Sequence, residues 1–349
     1  FLALTTAVTV ASTAALAFLA PGSPNVALVA LTLFVIGNVG FELGNVFYNA
    51  FLPDITSPER IGRVSGYGWG VGYVGGLVCL TVALVGFVQP EQPWFGVSTE
   101  AGMHIRATNL LVALWFGVFA LPFLIVSRSV QPPAAAPPRP ALREAFGELW
   151  RTFRAVRRYR AAARMLIARL FYNDGLNTIF AFGGIYAAGT FGMSFSDVLV
   201  FGIAINAAAG LGALAFGHLD DRIGGKRTIL LSIAALTAAT ALAVWAPSRG
   251  WLWAAGFVIG VFAGPNQAAS RSLMGRFTPD GRENEFFGFF AFTGKLAAFL
   301  GPALLGVVTE AAHSQRAGVA TVIGFFVVGG LLLLRVDEKE GIAAASARA

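Results

Sequence analysis

The sequence predicts an all-α polytopic membrane protein, and three observations carry that prediction. Apolar residues make up 56% of the 349 residues, charged residues only 12%, and the mean hydropathy is +0.70. A soluble domain carries about 25% charge because its surface faces water. The charge deficit is also gathered into runs: none falls in Phe1–Phe41, Ala107–Ser127, Thr228–Ser248 or Ala317–Leu334. Finally, the basic residues keep to alternate connectors between those runs.

A helix rises about 1.5 Å per residue, so roughly 20 residues cross a bilayer core. On that measure ten spans can be laid out, at about 1–19, 26–50, 64–88, 107–127, 165–189, 196–217, 227–247, 251–271, 285–309 and 317–335. The first two divide one uncharged run at Pro21-Gly22-Ser23-Pro24. The seventh and eighth part at Ala246-Pro247-Ser248-Arg249-Gly250, the composition of a turn.

One set of connectors holds Arg60 and Arg63; Arg128 through Arg164; Arg222, Lys226 and Arg227; Arg271, Arg276 and Arg282; then Arg335, Lys339 and Arg348. The other holds only Arg106, Arg249 and Arg316. The rich set is assigned to the cytoplasm by the positive-inside rule. The expected location is therefore the bacterial inner (plasma) membrane, multi-pass, with the 128–164 linker and the C-terminal tail cytoplasmic. The same placement explains the net charge of +7 without a nucleic-acid partner.

The 128–164 linker opens on Pro132-Pro133 and Pro137-Pro138. It then repeats Leu142, Phe146, Leu149, Phe153 and Val156 at spacings of three and four among arginines. Two readings stand equal: an amphipathic helix on the anionic leaflet lipid or the inner face of the protein, and a passive basic tether. Gly66-Tyr67-Gly68-Trp69-Gly70-Val71-Gly72 is echoed by Gly288-Phe289-Phe290-Ala291-Phe292-Thr293-Gly294, each after a loop with Pro and Arg, which fits two related halves. Phe1 lies inside an apolar run with no basic n-region before it, so the sequence is read as starting within a longer protein.

Polar groups inside spans are costly, about 2.5–3.5 kcal/mol for a mid-helix charge, and each needs a reason. Asn38, Glu42, Asn45 and Asn49 step by four, three and four onto one helix face, which suits a wet cavity or another polar helix. The fifth span carries Arg169, Asn173, Asp174, Gly175 and Asn177. Asp174 can bind a proton or pair with Arg169, and Asp174-Gly175 can loosen the helix. Asn266, Gln267 and Arg271 lie together on the eighth span, where Gln267 and Arg271 can hold an anionic group or Arg271 can simply anchor the helix. Lys295 is the lone charge within 286–309, and Glu42 or Asp174 is expected to approach it in at least one state.

Catalysis has little support. His104, His218 and His313 lack metal-ligand spacing, and no GxSxG, HExxH or Walker pattern occurs. Cys79 sits alone in an apolar segment, so no disulfide framework exists. Neither an enzyme nor a bound metal or other cofactor is expected.

The connector Gly217-His218-Leu219-Asp220-Asp221-Arg222-Ile223-Gly224-Gly225-Lys226-Arg227 resembles the G-x-L-x-D-R-x-G-x-[KR]-[KR] loop motif of the major facilitator superfamily. Besides Leu219, it matches at Gly217, Asp221, Arg222, Gly224, Lys226 and Arg227, the positions taken as the conformational motif, with the aspartate able to face a helix N-terminus. Asn49-Ala50-Phe51-Leu52-Pro53-Asp54 with Glu59 through Gly66, Tyr172-Asn173-Asp174-Gly175, and Gln267 through Ser272 with Glu285-Phe286-Phe287-Gly288 are similar to one branch of it. That branch holds the autophagy-linked vacuolar amino-acid effluxers and bacterial relatives.

The resemblance implies twelve helices, of which the ten here would be the third to twelfth. It divides the chain into a remnant N-terminal bundle (1–127), the linker (128–164), a six-helix C-terminal bundle (165–335) and a tail (336–349). It places the helices of Glu42, Asp174 and Asn266 around a central cavity. The function it implies is secondary active transport of a small polar solute by alternating access, coupled to protons, by a monomer. Amino-acid efflux is the form it suggests. A non-transporting sensor or assembly factor on the same fold is the alternative.

Overall fold

The computed structural model describes residues 1–22, 24–127, 159–296 and 298–347. The expected amphipathic linker helix falls on 128–158 and lies outside the described residues. The helices are α1 (Leu2–Leu16), α2 (Val26–Ala50), α3 (Leu52–Ile55), α4 (Ile61–Ala83) and α5 (Met103–Ser127). They continue as α6 (Arg160–Phe191), α7 (Phe195–Ile223), α8 (Gly225–Trp245), α9 (Arg249–Arg276), α10 (Glu283–Leu296), α11 (Leu300–Ala311), α12 (Gln315–Leu334) and α13 (Glu338–Ser346). No strand occurs among the described residues.

Seven helical stretches among the described residues are long and apolar enough to cross a membrane. They are Val26–Ile55, Ile61–Val88, Glu100–Ser127, Phe195–Ile223, Gly225–Trp245, Glu283–Ala311 and Gln315–Leu334. The remaining three of the ten expected spans are helical but stand apart. The 15-residue α1 is short, and α6 and α9 carry more polar residues. The ninth expected span, 285–309, is not one helix: α10 ends at Leu296 and α11 begins at Leu300.

The chain divides into two compact units, Phe1–Asn49 with Gly75–Arg139, and Ala50–Val74 with Pro140–Ala349. The dividing line crosses α4, so residues 50–74 group with the C-terminal residues and not with the rest of 1–127.

In the first unit α1 turns Thr5, Thr6, Thr9 and Ser12 inward, while Leu4 is exposed. That inverts a soluble helix and suits one whose solvent is lipid. Small residues meet there: a Cβ on Gly40 would stand 2.9 Å from Thr9 Oγ1 and 3.2 Å from the Thr5 carbonyl. Helix α5 packs against α1, and Arg106 Nη1 donates to the Leu19 carbonyl at 2.6 Å.

In the second unit α9 is the most extensively packed helix, and its largest partner is α7. Gly256, Gly260 and Gly264 repeat every fourth residue along α9 and lie against Phe201, Ile205 and Ala209 of α7. Pro265 donates no N–H to the ladder, and the Val261 carbonyl four residues earlier packs directly on Gly212 of α7. A second stripe, Gly62, Gly66 and Gly70 of α4, grips α7 at Asp220–Asp221, Ala213–Gly217 and Leu214. Without side chains at these points the backbones approach closely enough for dispersion to hold them.

Candidate functional site

Two polar constellations form in the second unit. The first gathers along α6, a continuous 32-residue helix. The loosening expected at Asp174-Gly175 does not occur there, because Gly175 packs against Phe325 and Phe326 of α12 inside an unbroken helix. The interruption lies opposite, between α10 and α11, and Asp174 reaches it: Oδ2 accepts the Gly301 N–H at 2.7 Å.

The Arg169–Asp174 pairing weighed from the sequence is not made. Five residues along a helix are about 140° around it, so the two side chains leave α6 on different faces. Arg169 instead donates to the Phe290 carbonyl at 2.8 Å and lies 3.7 Å from the centroid of the Phe290 ring. Asn173 joins two neighbours: its Oδ1 accepts from Gln267 Nε2 at 3.1 Å, and its Nδ2 donates to the Gly294 carbonyl at 3.3 Å. Tyr172 pairs with Ser270 at 2.9 Å, and Ser270 donates to the Asn266 carbonyl at 2.6 Å.

Buried polar atoms without a partner are uncommon in proteins, and three cluster on these helices. They are Asp174 Oδ1, Asn266 Nδ2 and Arg169 Nε, with Asp174 and Asn266 each only 1% exposed. Asn177 is half-buried one turn beyond Asn173, and Lys295 is exposed in the last turn of α10. Of the two readings for Arg271, the anchoring one agrees with its contacts. The side chain is buried, with Nε donating to Ser65 Oγ at 2.9 Å and Nη2 to the Ser65 carbonyl at 2.8 Å.

A cavity of about 250 Å³ in the same unit is bordered by Thr178, Asn206, Thr240 and Tyr186 among apolar side chains. Each of these four donates to a helix carbonyl, at 2.7, 2.8, 2.7 and 2.9 Å. With its donors satisfied the cavity is apolar in character, unlike the Asn173–Gln267 cluster.

The second constellation is the loop motif. Asp221 accepts from Gly62 N at 2.8 Å, from Arg63 N at 3.3 Å and from Arg63 Nε at 2.7 Å, so it closes the N-terminus of α4. Gly217 lets α4 approach, since a Cβ would stand 3.0 Å from Arg63 Cα. Sequence reasoning missed the groups behind it. Asp220, 1% exposed, pairs with Arg276 at 2.6 Å and accepts from the Ser272 hydroxyl. Arg276 also lies 3.6 Å from Asp221 and 4.0 Å from Glu338. Glu338 takes the N–H groups of Gly225 and Lys226 at 2.9 and 3.2 Å, and so closes α8. Gly224 has φ +91°, and a Cβ there would press on that carboxylate, so the motif needs glycine. Lys226 Nζ donates to the Leu334 carbonyl at 3.0 Å, while Arg222 and Arg227 are exposed. An acidic residue after α12 and an arginine ending α9 were the available signals.

In the first unit Asn38, Glu42, Asn45 and Asn49 do share one face of the continuous α2. Asn38 borders a cavity of about 240 Å³ with Thr9, Thr13 and Phe116. Glu42, Asn45 and Asn49 are half-buried.

Solved transporters share this fold. The human organic anion transporter MFSD10 (TETRAN) matches with a TM-score of 0.71 at 20% identity, covering 95% of this chain and 76% of that one. The fucose:proton symporter FucP of E. coli matches at 0.71 and 12%, covering 96% and 83%. Among sequences, an uncharacterized MFS-type transporter of Bacillus subtilis (strain 168), YxiO, is 29% identical over 332 residues, 95% of this chain and 75% of the relative. Autophagy-related protein 22-1 of Neosartorya fischeri is 24% identical over 304 residues, 80% of this chain, which spans 48% of that relative's length. The bacterial relative and both solved structures are named as transporters or symporters, not as enzymes. A family model described as "Vacuole effluxer Atg22 like" matches residues 1–346, and the chain belongs to that family of major facilitator superfamily (MFS) fold.

Proposed function

We propose that this protein carries a small polar solute across the bacterial inner membrane by alternating access, as a monomer, with a proton as coupling ion. The observation that carries the reading is Asp174, a buried carboxylate held by one N–H beside the Asn173–Gln267 amide pair. An ionisable group kept inside a span is a functional group by default. Amides that donate and accept together suit a solute with both kinds of group, such as an amino acid, and the family model's description as a vacuole effluxer favours export. Asn38, Glu42, Asn45 and Asn49 on α2, with Asn173, Asn177, Asn266, Gln267 and Lys295, are proposed to contact solute or proton. Asp221 and its loop act as a conformational latch on α4. The linker and tail are assigned to the cytoplasm.

Full-length protein in proteoliposomes tests this with a mixture of labelled amino acids and an imposed pH gradient. Flux that follows the gradient, and loses that dependence in Asp174→Asn or Glu42→Gln, is the expected result. If both variants remain coupled, the site assignment is wrong. Solute binding without flux would favour a sensor.

A further inference from the structure

The interruption between α10 and α11 leaves a helix N-terminus against α6, and a single carboxylate closes it. Asp174 Oδ2 accepts the Gly301 N–H at 2.7 Å, while Oδ1 has no partner. Gly301 is buried, and a Cβ there would stand 3.2 Å from Oδ1 and press on Thr178 Oγ1. The Thr178 hydroxyl is committed to the Asp174 carbonyl at 2.7 Å and leaves the carboxylate alone.

No cation answers the charge. Arg169 turns to Phe290, and Arg271 of α9 turns to Ser65. On the other elements packed against α6, Lys295 is exposed at the end of α10 and Glu310 sits near the far end of α11. Arg316, in the first turn of α12, donates to the carbonyls of Val244 and Ala246. Asp220 and Asp221 of α7 are paired with arginines, and Glu338 of α13 closes α8. None of these is a hydrogen-bond or ion-pair partner of Asp174.

An anion in this place is held by the N–H and the positive end of α11, whereas the neutral acid needs neither. We propose that Gly301 is a positioning residue for proton binding at Asp174: its N–H and bare Cα seat the carboxylate on the first turn of α11. A proton from water then lands on Oδ1, the charge on the group disappears, and the cap on α11 slackens. This rests on Asp174 being the proton carrier. It adds that the proton is sensed as a change in α11, the second part of an interrupted span.

Hydrogen–deuterium exchange on the full-length protein in lipid nanodiscs reads the cap directly. Asp174→Ala, which removes the acceptor, is expected to speed exchange at the start of α11 roughly five-fold, the scale of losing a helix cap, with α12 unchanged, and Asp174→Asn, which keeps a neutral oxygen, to speed it less. Gly301→Ala is expected to displace the pH profile of flux, and Gly301→Ala with Thr178→Ala, which removes the nearest obstruction, to return it. Unchanged exchange in Asp174→Ala overturns the cap. If that variant has meanwhile lost its dependence on the pH gradient, Asp174 stands as the proton site and only the role of Gly301 falls. If it keeps the dependence, the proton-site reading falls as well.

Discussion

Asp221 and Asp174 both accept backbone N–H groups at the start of another helix, yet their surroundings differ. Asp221 closes α4 with Arg63 at 2.7 Å and Arg276 at 3.6 Å beside it. Asp174 closes α11 with no arginine or lysine bonded to it and one oxygen unpartnered. The first carboxylate is compensated whenever it is charged, so it suits a latch that stays ionised. The second is compensated only by backbone dipoles, so its charge is the variable quantity. The same cap geometry is thus fully paired at one carboxylate and half-paired at the other, the contrast on which the proposed proton site rests.

The most severe way to break this comparison is Arg276→Ala. It strips the cation from Asp220, 2% exposed at its side chain, and from Asp221, and should cost about 3–5 kcal/mol in thermal unfolding of the purified protein. A loss below about 1 kcal/mol would mean the network is not the compensated one. Asp221→Asn keeps an acceptor for Gly62 but gives up its ionic partners, and should cost about 1–3 kcal/mol by the same measurement. Asp174→Asn loses no ion pair and should cost about 1 kcal/mol, less than Asp221→Asn. It should remove gradient dependence from flux, where Asp221→Asn slows flux but leaves it coupled. Equal penalties for the two would erase the distinction. Arg63→Gln should be the mildest change, below about 1 kcal/mol and fading in salt, because its side chain is 40% exposed.

Much of the fold was legible because spans are written in composition. The expected 26–50 coincides with Val26–Ala50, and 227–247 differs from Gly225–Trp245 by two residues at each end. The role of Asp221 was legible too, since its motif places an aspartate after one span and before a basic turn. The interruption after Leu296 was not read, although Gly301-Pro302 in the first turn of α11 was a local signal for it. What defines it is a partner 127 positions away in the sequence, the Asp174 carboxylate on Gly301. The partner of Arg271 was out of reach in the same way: nothing local foretells that Ser65, 206 residues earlier, takes its guanidinium. The echo between 66–72 and 288–294 also hides a difference, because Gly66 is pressed under the Ala213 carbonyl whereas Gly288 faces open space.

Helix α4 ends its tight stretch abruptly. Gly62, Gly66 and Gly70 leave no room for a side chain, but Gly72, Gly75 and Gly76 have nothing within 4 Å of where a Cβ would stand. The chain holds one cysteine, Cys79, on this same helix. Replacing that thiol and installing a single new one at position 72, 75 or 76 would give attachment points for spin or fluorescent reporters without crowding any neighbour. The glycines that the fold leaves unused thus offer handles from which movement of α4 during turnover can be timed.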